Sequence, residues 1–310
     1  MIDDIAGPIV ITGASGFIGS NLVRRMAESR SDIHAFIRSG SDLWRLADLL
    51  PKITVHSIDL TDRRDVFDRI RIIKPKTVFH AAAHGVHSFQ KDSDKIGAVN
   101  LRGTKNILDA SIKSGFEIFI NTGSSSEYGL KNEPMKETDS LEPRSPYAIS
   151  KAAATAYCQN MSSLMKLPII TLRPFSVYGP YEAPTKFIPT LLNALLGNTC
   201  PPLASPGIAR DYIFIDDLVD AYLTASLRPD LGGEIFNIGS GKQTTLKEVV
   251  ELAIRLTGAD IKPKWGTMKP GEWDATVWQA DISKAKSMLR WRPKNTLEEG
   301  LIKTINWMKK

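Results

Sequence analysis

An α/β protein, a doubly wound parallel sheet with a smaller C-terminal α/β lobe, is what this chain of 310 residues predicts. Three observations carry that expectation. Short apolar runs alternate with segments of helical period through the first half, a glycine-rich turn separates the first run from the first helix, and the texture of the chain changes after Pro174. Strands buried on both faces are apolar throughout rather than alternating, as parallel sheets require.

In order, the strand-like runs are Ile9 to Thr12, Ile33 to Ile37, Thr54 to Ile58, Thr77 to His80, Ile118 to Thr122 and Ile169 to Arg173. Between them, Ile18 to Ser29, Asp62 to Ile73, Asn100 to Ser114 and Tyr147 to Met165 read as amphipathic helices. After Pro174, prolines at 180, 184, 189, 201, 202 and 206 cut the chain into loops around one helix near Lys186 to Leu196. Ile213 to Phe214 and Glu234 to Asn237 look like further strands, and Leu246 to Thr257 and Leu297 to Met308 like helices. The expected organisation is a nucleotide-binding domain over 1–173, with 211–236 returning to it, and a substrate lobe from 174–210 and 237–310.

Composition narrows the class. The 40 Lys and Arg against 34 Asp and Glu leave a charge of +6, spread along the chain rather than gathered in a tract, so an anionic small molecule is expected and nucleic acid is not. Cys158 and Cys200 are the two cysteines, too few and too far apart for a disulfide framework or a zinc site, which fits free thiols in the cytoplasm. His80, His84 and His87 lack a companion carboxylate, and no metal is expected. The start of the chain has no basic region ahead of its apolar run, and no stretch reaches the ~20 apolar residues of a membrane span. A soluble protein follows.

In Ile9-Val10-Ile11-Thr12-Gly13-Ala14-Ser15-Gly16-Phe17-Ile18-Gly19 the glycines lie between a buried strand and a helix. A dinucleotide turn needs one residue free to bend, one without a side chain where backbone meets pyrophosphate, and one allowing close helix packing; Gly13, Gly16 and Gly19 meet those needs. The helix start offers backbone N–H groups to the anion. At the end of the second strand, where an NAD-preferring enzyme places a carboxylate, stands Arg38, followed by Ser39, Gly40 and Ser41, which favours NADP(H), with NAD(H) the alternative. Asp59, after the third strand, is a candidate partner for the adenine amino group.

Ser145-Pro146 suits a helix cap and first helical position, which puts Tyr147 in the opening turn and Lys151 one turn later on the same face. A free phenol, with pKa near ~10, is a poor base at neutral pH, and a fixed ammonium lowers that barrier. With this pair the sequence resembles the extended short-chain dehydrogenase/reductase family: the NAD(P)-dependent nucleotide-sugar epimerases, dehydratases and reductases of Rossmann-like fold. The resemblance spans nearly the whole chain, through Thr12 to Gly19, His80-Ala81-Ala82-Ala83, Asn100 to Thr104, Ser124 to Gly129, Tyr147 with Lys151, Leu172-Arg173-Pro174, Tyr178-Gly179-Pro180, Arg210-Asp211-Tyr212 and Asp216-Asp217.

The resemblance implies that Tyr147 is the acid/base, that Lys151 also holds the nicotinamide ribose, and that Ser124 hydrogen-bonds the reacting sugar oxygen. It places Ser15, Phe17, Ile18, Leu60, Ala81, Ala82, Ala83, Asn100, Thr122, Pro174 and Val177 with the glycines, Arg38 and Asp59 along the cofactor. Ser125, Ser176, Arg210 and Glu272 join Ser124 and Tyr147 on the substrate side, Arg210 toward the pyrophosphate. A homodimer is implied as well.

Among the family's reactions, dehydration needs an Asp-Glu pair directly after the catalytic Ser or Thr, and here Ser125-Ser126 stand there with Glu127 one position late. Arg38 and the run Gly123 to Gly129, which resembles reductases acting on nucleotide-linked 4-keto-6-deoxyhexoses of deoxysugar biosynthesis, favour NADPH-dependent reduction at C4 with Tyr147 as proton donor. A nucleotide-sugar 4-epimerase with tightly bound NAD is the alternative. A 4,6-dehydratase or a non-catalytic dinucleotide sensor ranks lower.

Overall fold

The computed structural model describes residues 2–86, 89–268, 271 and 274–310. Ten strands and nine helices of the α type are assigned among them. The strands β1 (Ile9–Thr12), β2 (Ile33–Ile37), β3 (Thr54–Ser57), β4 (Thr77–His80), β5 (Ile118–Thr122), β6 (Ile169–Pro174) and β9 (Ile235–Ile238) form one seven-stranded sheet in the order β3-β2-β1-β4-β5-β6-β9. β1 pairs in parallel with both β2 and β4, so the strand order reverses there, the place where ligands bind in doubly wound sheets. Fully buried strands such as β1, β4 and β5 account for the unbroken apolar runs. β3, at the edge, alternates only weakly and is partly exposed.

Two compact units divide the chain: 1–129, 140–173 and 219–236 form the first, and 130–139, 174–218 and 237–310 the second. In the first unit α1 (Phe17–Met26), α2 (Arg63–Ile73), a short α3 (Ser93–Gly97), α4 (Gly103–Ser114), α5 (Pro146–Met165) and most of α7 (Ile215–Ser226) accompany the sheet. One core gathers Val10, Phe36, Ile58, Val66, Ile70, Val78, Ile107, Leu108, Phe119 and Ile169, all buried. At roughly 1.5–3 kcal/mol for each large side chain removed from water, that layer is the main stabiliser of the unit.

The second unit contains α6 (Phe187–Leu196), α8 (Leu246–Thr257), α9 (Leu297–Met308) and a three-stranded sheet, β10 (Gln243–Thr245), β8 (Ala209–Phe214) and β7 (Ser176–Tyr178). Residues 211–218 were expected with the first unit and fall in the second, because β8 pairs with β7 and β10 and alternates buried with half-buried positions. Segment 130–139 also joins the second unit, through Met135 N–H to the Gln279 carbonyl and Asp281 N–H to the Met135 carbonyl, both 2.8 Å. Two aspartates from the sequence motifs act as staples here. Asp211 accepts from Ser240 N and Oγ, Gly241 N and Ala280 N, while Asp217 accepts from Lys294 N and from Asn295 N and Nδ2.

Candidate active site

The glycine turn is built as its spacing requires. Gly13 takes a left-handed φ of +65° and lies so close to Ala82 that a Cβ would come within 2.7 Å of that backbone. A Cβ on Gly19 would stand 2.2 Å from the Gly13 carbonyl oxygen. Gly16 caps α1 with no side-chain acceptor over its first turn, an arrangement open to an anionic ligand. The residues therefore suit a dinucleotide pyrophosphate. Ala81 and Ala82 follow β4 beside this turn, Ala82 buried and Ala83 exposed.

Toward the expected adenosine end, Arg38 and Asp59 are exposed and Leu60 is buried. The Asp59 carboxylate accepts from Thr61 N at 2.9 Å and Thr61 Oγ1 at 2.8 Å, and Asp62 caps α2. Sequence reasoning missed Arg45, half-buried, whose Nη1 reaches the Ser15 carbonyl at 3.3 Å. It lies outside any periodic segment and only the fold brings it to the turn.

A buried polar chain ties the turn to the helices. Thr104 Oγ1 donates to the Asn100 carbonyl at 2.5 Å, so its oxygen is left to accept from His80 Nε2 at 2.8 Å. His80 Nδ1 then accepts from Thr12 Oγ1 at 2.7 Å, and Thr12 Oγ1 accepts from Ala82 N–H at 3.3 Å. The donors fix the imidazole as the neutral Nε2–H tautomer. Burial, and secondarily the Lys151 charge, push His80 down to about 3. Its place at the strand end is thus structural.

Asn100 lies in a π-helical turn, Ala98–Arg102, between α3 and α4. Its Oδ1 accepts from His84 N at 2.7 Å, and its Nδ2 donates to the His84 carbonyl and to Ser150 Oγ, both at 2.9 Å. Both amide hydrogens are used, so Asn100, expected along the cofactor, acts through its neighbours: Ser150 Oγ donates to the Tyr147 carbonyl at 2.7 Å. Likewise the Thr122 hydroxyl is engaged by Tyr222 at 2.6 Å.

The first turn of α5 is set by Ser145, which accepts from Ala148 N–H at 3.1 Å, and by Pro146. Tyr147 is partly buried, with its phenol in hydrogen-bonding reach of Ser124. Burial pushes the phenol up to about 12, the Ser124 hydrogen bond pulls it down, and Glu127 pushes it up. Lys151 is buried, and burial lowers its pKa while Glu127 opposes that shift. Ser124, Tyr147 and Lys151 are therefore brought together in the first unit.

Ser124 caps a short 3-10 turn over Ser125–Tyr128, with Ser125 buried. The Glu127 side chain closes the turn: its Oε1 accepts from Ser124 N at 2.8 Å and Thr155 Oγ1 at 3.0 Å, and its Oε2 from Arg173 Nε at 2.8 Å. Glu127 is wholly buried and engaged, so it stands apart from the two-carboxylate arrangement of a water-eliminating site.

In the second unit, Ser176 and Val177 lie on β7 opposite Tyr212 and Ile213 of β8, and Pro174 ends β6. Arg210 on β8 lies over the Trp278 ring at 5.2 Å and donates to the Ala209 carbonyl. Burial lowers its pKa, opposed by Tyr212 and Asp274. Glu272 lies outside the described residues. Among the described residues no group of three or more His, Cys, Asp or Glu could hold a metal ion, and no helix is long and apolar enough to cross a membrane.

Residues 9–239 match the model of the NAD dependent epimerase/dehydratase family. This chain belongs to that family. As a family member it is 30% identical to a UDP-glucose 4-epimerase of Mycolicibacterium smegmatis, covering 97% of this chain and 98% of the relative. A crystal structure of the UDP-glucose 4-epimerase of Thermotoga maritima with UDP-glucose superposes with a TM-score of 0.87 at 27% identity, covering 97% and 98% of the two chains. MoeE5 in complex with UDP-glucose and NAD has a TM-score of 0.86 at 30% identity, covering 98% and 99%. These relatives turn the two finer expectations around. They favour the alternative readings, 4-epimerisation and NAD, over reduction and NADP(H).

Proposed function

We propose that this chain is a nucleotide-sugar 4-epimerase working with bound NAD on a UDP-hexose. The observation that carries the reading is the meeting of Ser124, Tyr147 and Lys151 beside a dinucleotide turn, with the adjacent carboxylate, Glu127, committed to Arg173. NAD, held by the glycine turn and Lys151, would supply a reversible acceptor for the C4 hydride. Tyr147 takes the O4 proton as the carbonyl forms and returns it after the keto sugar has turned. Ser124 donates to the developing oxygen, and Lys151 favours the phenolate. Gly13, Gly16 and Gly19 seat the pyrophosphate of the cofactor, and Arg210 pairs with that of the substrate.

Supporting the reading are the 4-epimerase relatives, which cover 97% of the chain. A second reading, reduction of a 4-keto sugar by NADPH, rests on Arg38 and on Arg45 near Ser15. Incubation of the purified protein with UDP-glucose, UDP-galactose and UDP-glucuronate, followed by proton NMR, separates them. The epimerase interconverts a C4 pair without added reductant; consumption of NADPH with a 4-keto sugar contradicts it. Tyr147→Phe is expected to lower turnover by ~10²-fold or more while leaving NAD affinity unchanged, as read by steady-state kinetics and calorimetry.

A further inference from the structure

Glu127 sits where two functional side chains and two structural elements meet. From β5 the chain turns at Gly123, where a Cβ would stand 2.7 Å from the Glu127 Oε1 and 3.0 Å from the Arg173 stem. Only the absence of a side chain lets the carboxylate fold back beneath Ser124. It then accepts the Ser124 N–H, bonds Thr155 one turn beyond Lys151 on α5, and pairs with Arg173 on β6. Arg173 is held in turn by the Tyr128 hydroxyl at 2.9 Å and lies over that ring at 4.7 Å. Glu127, Arg173, Thr155, Tyr128 and Lys151 are all at most 2% exposed.

We propose that Glu127 is a positioning residue: it seats the Ser124 turn against α5 and supplies the fixed negative charge that the Lys151 ammonium and the Tyr147 phenol both face. This deepens the assignment of Tyr147 and Lys151 as the proton-carrying pair and rests on it. A buried ion pair is by itself weak evidence of a stabilising role, and this one lies beside two titrating groups. The carboxylate favours charged Lys151 and disfavours phenolate at Tyr147, holding both protons on until a ligand brings positive charge. The other groups facing the pair are His80 at the end of β4, neutral; Cys158 on α5, held as the thiol by burial; and Tyr222 on α7, while the Arg173 guanidinium on β6 pairs with Glu127 itself. None of them supplies a negative charge, so Glu127 sets the sign.

The test is the ionisation of Tyr147 followed by NMR of protein carrying ¹³Cζ-labelled tyrosine, with Tyr147→Phe to assign the signal and NAD present throughout. Glu127→Gln removes the charge and leaves the amide able to bond, and the Tyr147 transition moves to lower pH by about one unit or more. Glu127→Asp keeps the charge and shortens the reach; its transition stays within about half a unit of the native one while kcat falls. Glu127→Gln/Arg173→Gln, which leaves no unpaired guanidinium buried, serves if the single variant does not fold, and shifts the transition in the same direction. An unmoved transition in the charge-removing variant that folds, or an equal shift in Glu127→Asp, overturns the proposal. Because the signal needs no turnover, a chain that fails to epimerise any sugar still reports on Glu127.

Discussion

Burial decides the behaviour of individual side chains more than their identity does. His80 carries an ordinary imidazole, but its two ring nitrogens are taken by Thr12 and Thr104 and water is excluded, so the folded protein keeps it neutral down to about 3. An unfolded chain protonates the same ring near pH 6.5. Between those values the unfolded form binds a proton that the folded form refuses, and stability falls as pH falls, by about 1.4 kcal/mol per pH unit for this one group. Above pH 6.5 both forms are neutral and the term vanishes. Denaturant titrations at pH 7, 6 and 5 are expected to show this acid loss, and His80→Gln to reduce its slope; an unchanged slope would leave the loss to other groups. Tyr147, Lys151 and Ser124 could be singled out in the sequence by the family resemblance, since helix spacing and a strand end taken alone fit an exposed helix pair and a polar loop as well. Glu127 was read only as misplaced for dehydration, since its partners, Thr155 and Arg173, lie 28 and 46 residues away.

Elements were readable where a strand is buried on both faces or a helix has a marked polar side. β1, β2, β4 and β5 match their apolar runs residue for residue, and α8 and α9 match their periodic segments. β7 and β10, three residues each and only partly buried, carry no such signature. The expected helix from Asn100 begins instead as a π-helical turn, and α4 starts at Gly103. That wider turn lets Asn100 reach both His84 and Ser150, a demand that comes from tertiary contacts. The glycine turn, by contrast, is local. A Cβ at position 19 would stand 2.2 Å from the Gly13 oxygen, against 3.1 Å at position 16. Gly19→Ala is therefore expected to destabilise the protein by about 1–3 kcal/mol and to weaken NAD binding sharply. Gly16→Ala should cost less stability. Thermal unfolding and calorimetric NAD titration of both variants check the order, and a Gly16→Ala variant as unstable as Gly19→Ala would contradict it.

For the whole molecule, the alternation of strands and helices specified the sheet, and the proline-rich stretch after Pro174 marked where a second unit begins. Its full membership was hidden because segment 130–139 enters it by strand-like hydrogen bonds to residues near 280 rather than by neighbouring sequence. The family relation adds what neither unit states alone, a UDP-sugar and NAD in related structures. A ligand that binds only the folded protein stabilises it by about 2.7 kcal/mol at one hundred times its Kd. NAD is therefore expected to raise the Tm more than NADP at equal concentration, and the reverse order would favour the two arginines near the turn. The most direct measurement of the central claim uses UDP-glucose carrying deuterium at C4 and the purified protein with NAD. The account predicts UDP-galactose that retains the deuterium at C4, with no reductant consumed and with the reaction lost in Tyr147→Phe. Product whose C4 hydrogen comes from added NADPH, or turnover that survives the loss of the phenol, would contradict it.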